Sequence, residues 1–135
     1  RTAKEFGLTA NGANDGESPR ALDVAPGTLL EADVLRALGT GLYVSNLHYL
    51  NWSDPVSARV TGMTRYACFW VENGEIVGPI QDMRWDESLF DALGPKLIAL
   101  TANTAIDPAV DTYFQRALGG SRTPGALIDQ FTFTL

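Results

Sequence analysis

The chain is 135 residues long, 45% hydrophobic and 19% charged, an ordinary composition for one globular domain. Its net charge of −6 and the absence of any basic run argue against a nucleic-acid surface, which would cluster Lys and Arg to neutralise phosphates. No apolar stretch approaches the roughly 20 residues that span a bilayer, so no membrane partner is expected. The single cysteine cannot form an internal disulfide and fits a reducing compartment, the cytoplasm. The chain opens on Arg1 rather than Met, without a signal-peptide pattern, and reads as a piece of a longer protein.

In chain order, residues 1–28 include "LTANGANDGESPRALDVAPGT", which has no helical or strand period and reads as a loop or an arm laid over a surface. Residues 29–135 read as one domain. Thr28 and Glu31 match a capping box, Leu30, Val34 and Leu38 recur every four residues, and Gly39 supplies a stop, so a helix is predicted there. "GLYVSNLHYL" (Gly41–Leu50) reads as one strand. Alternation places Leu42, Val44, Asn46, His48 and Leu50 on one face and Tyr43, Ser45, Leu47 and Tyr49 on the other. "NWSDP" (Asn51–Pro55) is turn chemistry. "ARVTGMTRYACFWVE" then predicts one long strand, or two joined by a bulge at Gly62.

Asn73-Gly74 is the strongest local signal, because both residues tolerate the positive φ of a two-residue hairpin turn. Counting outward pairs Glu72 with Glu75, Val71 with Ile76, Trp70 with Val77, Phe69 with Gly78 and Cys68 with Pro79. Both faces of this hairpin are apolar, which predicts a core element covered on both sides. Asp86 is placed as the cap of a short helix with Leu89, Phe90 and Leu93 buried and Gly94-Pro95 ending it. Leu97–Leu100 is an apolar run of open type. "LGGSRTPG" (Leu118–Gly125) reads as a wide turn, and a final strand is predicted from about Ala126 to Thr134. The expected class is α+β: a β-rich domain with a mixed or antiparallel sheet and one or two short helices.

Few residues carry chemistry. Cys68 sits mid-strand in an apolar run, where a cysteine acts as a small hydrophobe; a reactive thiol needs a cation or a helix N-terminus beside it. His48 has no partner at metal-ligand spacing. A thiol hydrolase built on Cys68 and His48 is the rival enzymatic reading, though no third, orienting group is visible. Among Asp82, Asp86 and Glu87, helix capping and dipole effects explain the last two, and Glu72 and Glu75 read as solvated hairpin tip. "LGGSRTPG" lacks the Lys-Ser/Thr ending of a phosphate loop.

The ordered series "TGLYV", a "DP" turn, "VTGMTR", "ENGEIVGPI" and "MRWDESL", followed by a terminal strand, resembles the C-terminal domain of the TldD/PmbA proteins, over roughly residues 17–135. This metallopeptidase-related family was formerly named for modulation of DNA gyrase. The resemblance implies a two-part protein whose N-terminal domain this chain lacks. Active subunits of the family cleave unfolded or extended peptides, including leader segments of modified peptides. Their zinc is held by two histidines of a His-Glu-x-x-x-His helix and a cysteine near the C-terminus. A second subunit type lacks the ligands and assembles with the first. Here no His-Glu-x-x-x-His occurs, and the glycine-rich turn where active members carry the cysteine reads Gly119-Gly120-Ser121-Arg122.

The expectation is therefore a metal-free subunit's terminal domain, with no catalytic, cofactor or metal residue in this chain and any zinc in a partner. Its expected partners are a metal-bearing family subunit or a second copy of itself, and the peptide substrate of the assembly. Thr61, Gly62, Met63, Thr64 and Arg65 are predicted as a strand edge that receives an extended peptide, Gly62 permitting close backbone approach. A purely structural oligomerisation module is the third reading.

Overall fold

The computed structural model describes residues 2–7, 21–110, 112 and 119–134. Its elements are α1 (Thr2–Glu5), β1 (Ala21–Asp23), a 3-10 turn (Glu31–Asp33), α2 (Val34–Leu38), β2 (Gly41–Tyr43), β3 (Leu47–Asp54) and β4 (Arg59–Thr64). After them come β5 (Phe69–Glu72), β6 (Glu75–Pro79), β7 (Arg84–Ser88), α3 (Leu89–Ala92), β8 (Leu97–Pro108), β9 (Gly120–Ile128) and β10 (Phe133–Thr134). The fold is α+β and strand-rich, with three sheets ordered β1-β9-β8, β10-β7-β4-β3 and β2-β5-β6. The first is mixed, since β1 runs parallel to β9 while β8 is antiparallel to it. The other two are antiparallel.

Asn73 (φ 52°) and Gly74 (φ 81°) both take the left-handed conformation, and the hairpin forms as its turn residues require. Glu72 pairs with Glu75 and Val71 with Ile76. Beyond them a bulge shifts the register, so Trp70 faces Gly78 and Phe69 faces Pro79, one residue later than a regular ladder gives. The tip is docked rather than free. The Gly74 N–H donates to the Gly39 carbonyl at 2.7 Å, and the Asn73 N–H donates to Thr40 Oγ1 at 3.1 Å. Cover on both faces is not what the structure shows: Cys68 and Val71 are buried, while Ile76 and Val77 are exposed.

Several predicted elements break where the chain changes sheets. The single strand expected at Gly41–Leu50 becomes β2, beside the hairpin, and β3, at the edge of the four-stranded sheet. The crossover is pinned by Ser45 Oγ donating to the Tyr66 carbonyl (2.9 Å) and by the Arg65 N–H donating to the Asn46 carbonyl (3.2 Å). The long strand divides at Arg65–Cys68, with Ala67 at φ 54°, and Gly62 lies inside an unbroken β4. The final strand likewise divides into β9 and β10 around Gln130 (φ 53°), and residues 120–125 of the expected wide turn are strand. β3 runs on through Asp54, so the turn falls one step later, held by the Asp54 carboxylate accepting from Val56 N–H and Ser57 Oγ.

The capping box does not form. Leu30 precedes the 3-10 turn in extended conformation without a side-chain cap, although Gly39 (φ 67°) does end α2, its N–H donating to the Leu35 carbonyl. Asp86 is not a helix cap either: it lies in β7, and Ser88 precedes α3. In that helix Ala92 is buried, whereas Phe90 and Leu93 are exposed. Within residues 1–28, β1 lies along β9, fixed by the bidentate pair of Asp23 with Arg122 (2.9 and 2.6 Å).

Candidate functional site

The peptide-edge expectation for Thr61, Gly62, Met63, Thr64 and Arg65 does not survive the topology. β4 is an internal strand. Thr61 faces Asn51 of β3 and Asp86 of β7, Met63 faces His48 and Arg84, and Gly62 faces Trp85. The Thr64 N–H donates to the Met83 carbonyl, and Met83 N–H returns a bond to Thr64 Oγ1. With both flanks paired, this strand has no backbone groups to offer a peptide. Gly62 does serve a close approach, but to side chains: a Cβ there would lie 2.8 Å from Leu50 Cδ2 and 3.0 Å from the Trp85 ring.

Cys68 is 2% exposed, and its thiol points to the carbonyls of Tyr66 (3.6 Å) and Asn46 (3.9 Å). His48 is exposed on β3, its Nδ1 3.3 Å from Arg65 Nη1. No hydrogen bond joins Cys68 to His48 among the described residues, and the carbonyls around the thiol are not groups that activate it. Nor do the residues present fit a zinc site. His48 is engaged by an arginine, Cys68 is enclosed, and no three His, Cys, Asp or Glu side chains come together among the described residues.

The carboxylates do structural work. Glu87, 3% exposed, accepts from Lys96 Nζ (2.9 Å), Ser88 N–H (3.0 Å) and Thr132 N–H (3.2 Å). Burial pushes its carboxyl up, but the bonds from Lys96, Ser88 and Thr132 outweigh burial and hold it below the usual value. Lys96 also donates to the Gln130 carbonyl, so one ion pair ties β7 to the start of β8 and to the turn before β10. Asp86 is held low by the hydroxyl of Ser53 and the guanidinium of Arg59, which reaches it at 2.7 Å. At the hairpin tip, Glu72 accepts the Trp70 indole N–H at 2.7 Å, so it is more than solvated surface.

What the sequence did not disclose is a trough between sheets. A cavity of about 740 Å³ is lined by α2 and β2 on one side and by β9 and the 129–133 turn on the other, with Ile98 and Phe131 at its wall. A second, of about 510 Å³, shares Leu38, Leu42, Val44, Ser45, Ala126 and Leu127 with it. Asp129 and Glu31 are the carboxylates of the two linings, beside the Tyr43 phenol and several hydroxyls, with no His, Cys, Lys or Arg among the described lining residues. The concave, largely apolar trough is of a size and character that can bury an apolar segment. The signal for it was the pair of polar breaks, Ser45-Asn46 and Asp129-Gln130, read as positions within continuous strands.

Comparison with known proteins gives a consistent answer. The model of the PmbA/TldA metallopeptidase C-terminal domain matches residues 1–135. No curated protein matches. The fold is similar to that of a Thermotoga maritima protein described as a candidate modulator of a DNA gyrase, with TM-score 0.70 and 20% identity over 94% of this chain and 27% of that one. It is also similar to TldE from Thermococcus kodakarensis, with TM-score 0.67 and 12% identity over 97% of this chain and 29% of that one. The chain thus spans under a third of the length of these solved relatives. A match along its whole length, with the same fold in both structures, places the chain in the PmbA/TldA metallopeptidase C-terminal domain family.

Proposed function

We propose that the chain is a non-catalytic C-terminal domain that helps build a peptidase assembly acting on unfolded or extended peptides. The observation that carries this reading is the whole-length family match. It is supported by a sequence with one histidine and one cysteine, too few for the three or four protein ligands that zinc sites use. It is further supported by apolar side chains left for a partner to cover. Among the described residues, the buried apolar ones are Cys68, Val71, Trp85 and Ala92, while Trp52, Val56, Phe90, Ile106 and Val110 are more than half exposed. In this reading the zinc and the cleavage chemistry belong to a metal-bearing family subunit.

The test is to mix the chain with such a subunit and follow cleavage of an unfolded peptide. The chain alone should hold no stoichiometric zinc and cleave nothing, and adding it should change the subunit's activity or its sedimentation. One tightly held zinc per chain after dialysis, or cleavage by the chain alone, would overturn the assignment.

A further inference from the structure

Among the described residues, several basic side chains are held in ion pairs and two arginines are not. Arg36, Arg59, Lys96 and Arg122 are committed to Asp33, Asp86, Glu87 and Asp23. Arg65 and Arg84 have no carboxylate partner among the described residues, and the sheet brings them together. His48, Met63, Arg84 and Thr134 form one rung across β3, β4, β7 and β10. Directly opposed residues share a face, so all four project to one side. Arg65, two residues beyond Met63, falls on that side too, as its contact with His48 Nδ1 shows. The other side carries the buried Thr64, Trp85 and Glu87. Arg65 lies over the Tyr66 ring at 5.6 Å, and the Tyr49 ring is 6.1 Å from that of His48; both tyrosines are exposed. Asp82 neighbours this cluster in sequence but forms no ion pair with either arginine among the described residues.

We infer that this outer sheet face docks an acidic polypeptide segment. Two arginines with no carboxylate partner among the described residues, in a chain of net charge −6, are complementary to carboxylates, and their planar forks bind them bidentately. The flanking tyrosines and the Met63 side chain supply apolar contact. None of His48, Arg65 and Arg84 lines either cavity, so the face is suited to a chain laid across it rather than to an enclosed small anion. The inference stands independently of the assembly role above.

The experiment measures fluorescence anisotropy of a labelled peptide of alternating Glu and Ser, and of the same peptide with every Glu replaced by Gln, with the whole chain. The Glu peptide should bind and the Gln peptide should not. Arg65→Gln and Arg84→Gln should each weaken binding roughly threefold, the range for exposed charge pairs, and together roughly tenfold. Arg36→Gln, on α2, should leave binding unchanged. Arg65→Lys and Arg84→Lys, which keep the charge, guard against misfolding and should bind better than the Gln variants. Equal affinity for the two peptides, or double-variant binding equal to the parent chain, overturns the inference.

Discussion

At the residue scale, Gly62, Glu87 and Cys68 carry the clearest expectations. Gly62→Ala places a methyl against Leu50, which can move, and the buried Trp85 ring, which meets Phe131 in a tilted contact with centroids 5.2 Å apart and cannot easily do so. It should cost about 1–3 kcal/mol by overpacking, read from denaturant unfolding. Lys96→Met leaves the Glu87 carboxylate buried without its cation and should cost roughly 3 kcal/mol at neutral pH. In the parent chain Glu87 titrates below its ordinary 4.5, so its contribution is present above that value and is lost as pH falls through the lower folded one. In the variant, burial prevails and the folded value rises. The deficit should therefore shrink on acidification, and a deficit that grows toward acid pH would contradict this account. Cys68 should react with a thiol reagent only after denaturant opens the sheet. Its burial was legible in sequence from the apolar run around it. The role of Glu87 was not, because Lys96, Thr132 and Gln130 reach it through tertiary contacts that no spacing encodes.

At the scale of elements, local turn chemistry was readable and sheet membership was not. Asn73-Gly74 specified its hairpin without reference to the rest of the chain. Gly74→Ala, at φ 81° and with its Cβ 3.2 Å from Arg36 Cα, should cost roughly 1–3 kcal/mol. Alternation could not separate β2 from β3, or β9 from β10, because period 2 continues on paper while the chain crosses between sheets. The same blindness made Thr61–Arg65 look like an edge, since sequence gives no strand order. Hydrogen exchange resolves this directly: amides of Thr61, Gly62 and Met63 should exchange slowly, as internal strands do, whereas alternate amides of β3 should exchange fast. Rapid exchange along all of β4 would reinstate the edge.

At the scale of the whole molecule, the described residues bury four apolar side chains and leave seventeen large ones exposed. Exposed apolar surface of this extent is what a partner of the kind proposed above would cover. Among the described residues, edges at β3 and β6 add unpaired backbone groups, whereas the edge of β8 is covered at Leu100–Ala102 by the Gly27–Leu29 segment. Composition hinted at this, with nearly half the residues hydrophobic and few helices to cover the strands, but could not say which faces are bare. The net charge of −6 favours defined association over precipitation. Sedimentation velocity of the chain at tens of micromolar, alone and with a metal-bearing family subunit, tests the central claim most directly. The account predicts a discrete dimer or a complex with that subunit. A strictly monomeric species that also ignores the subunit would contradict it.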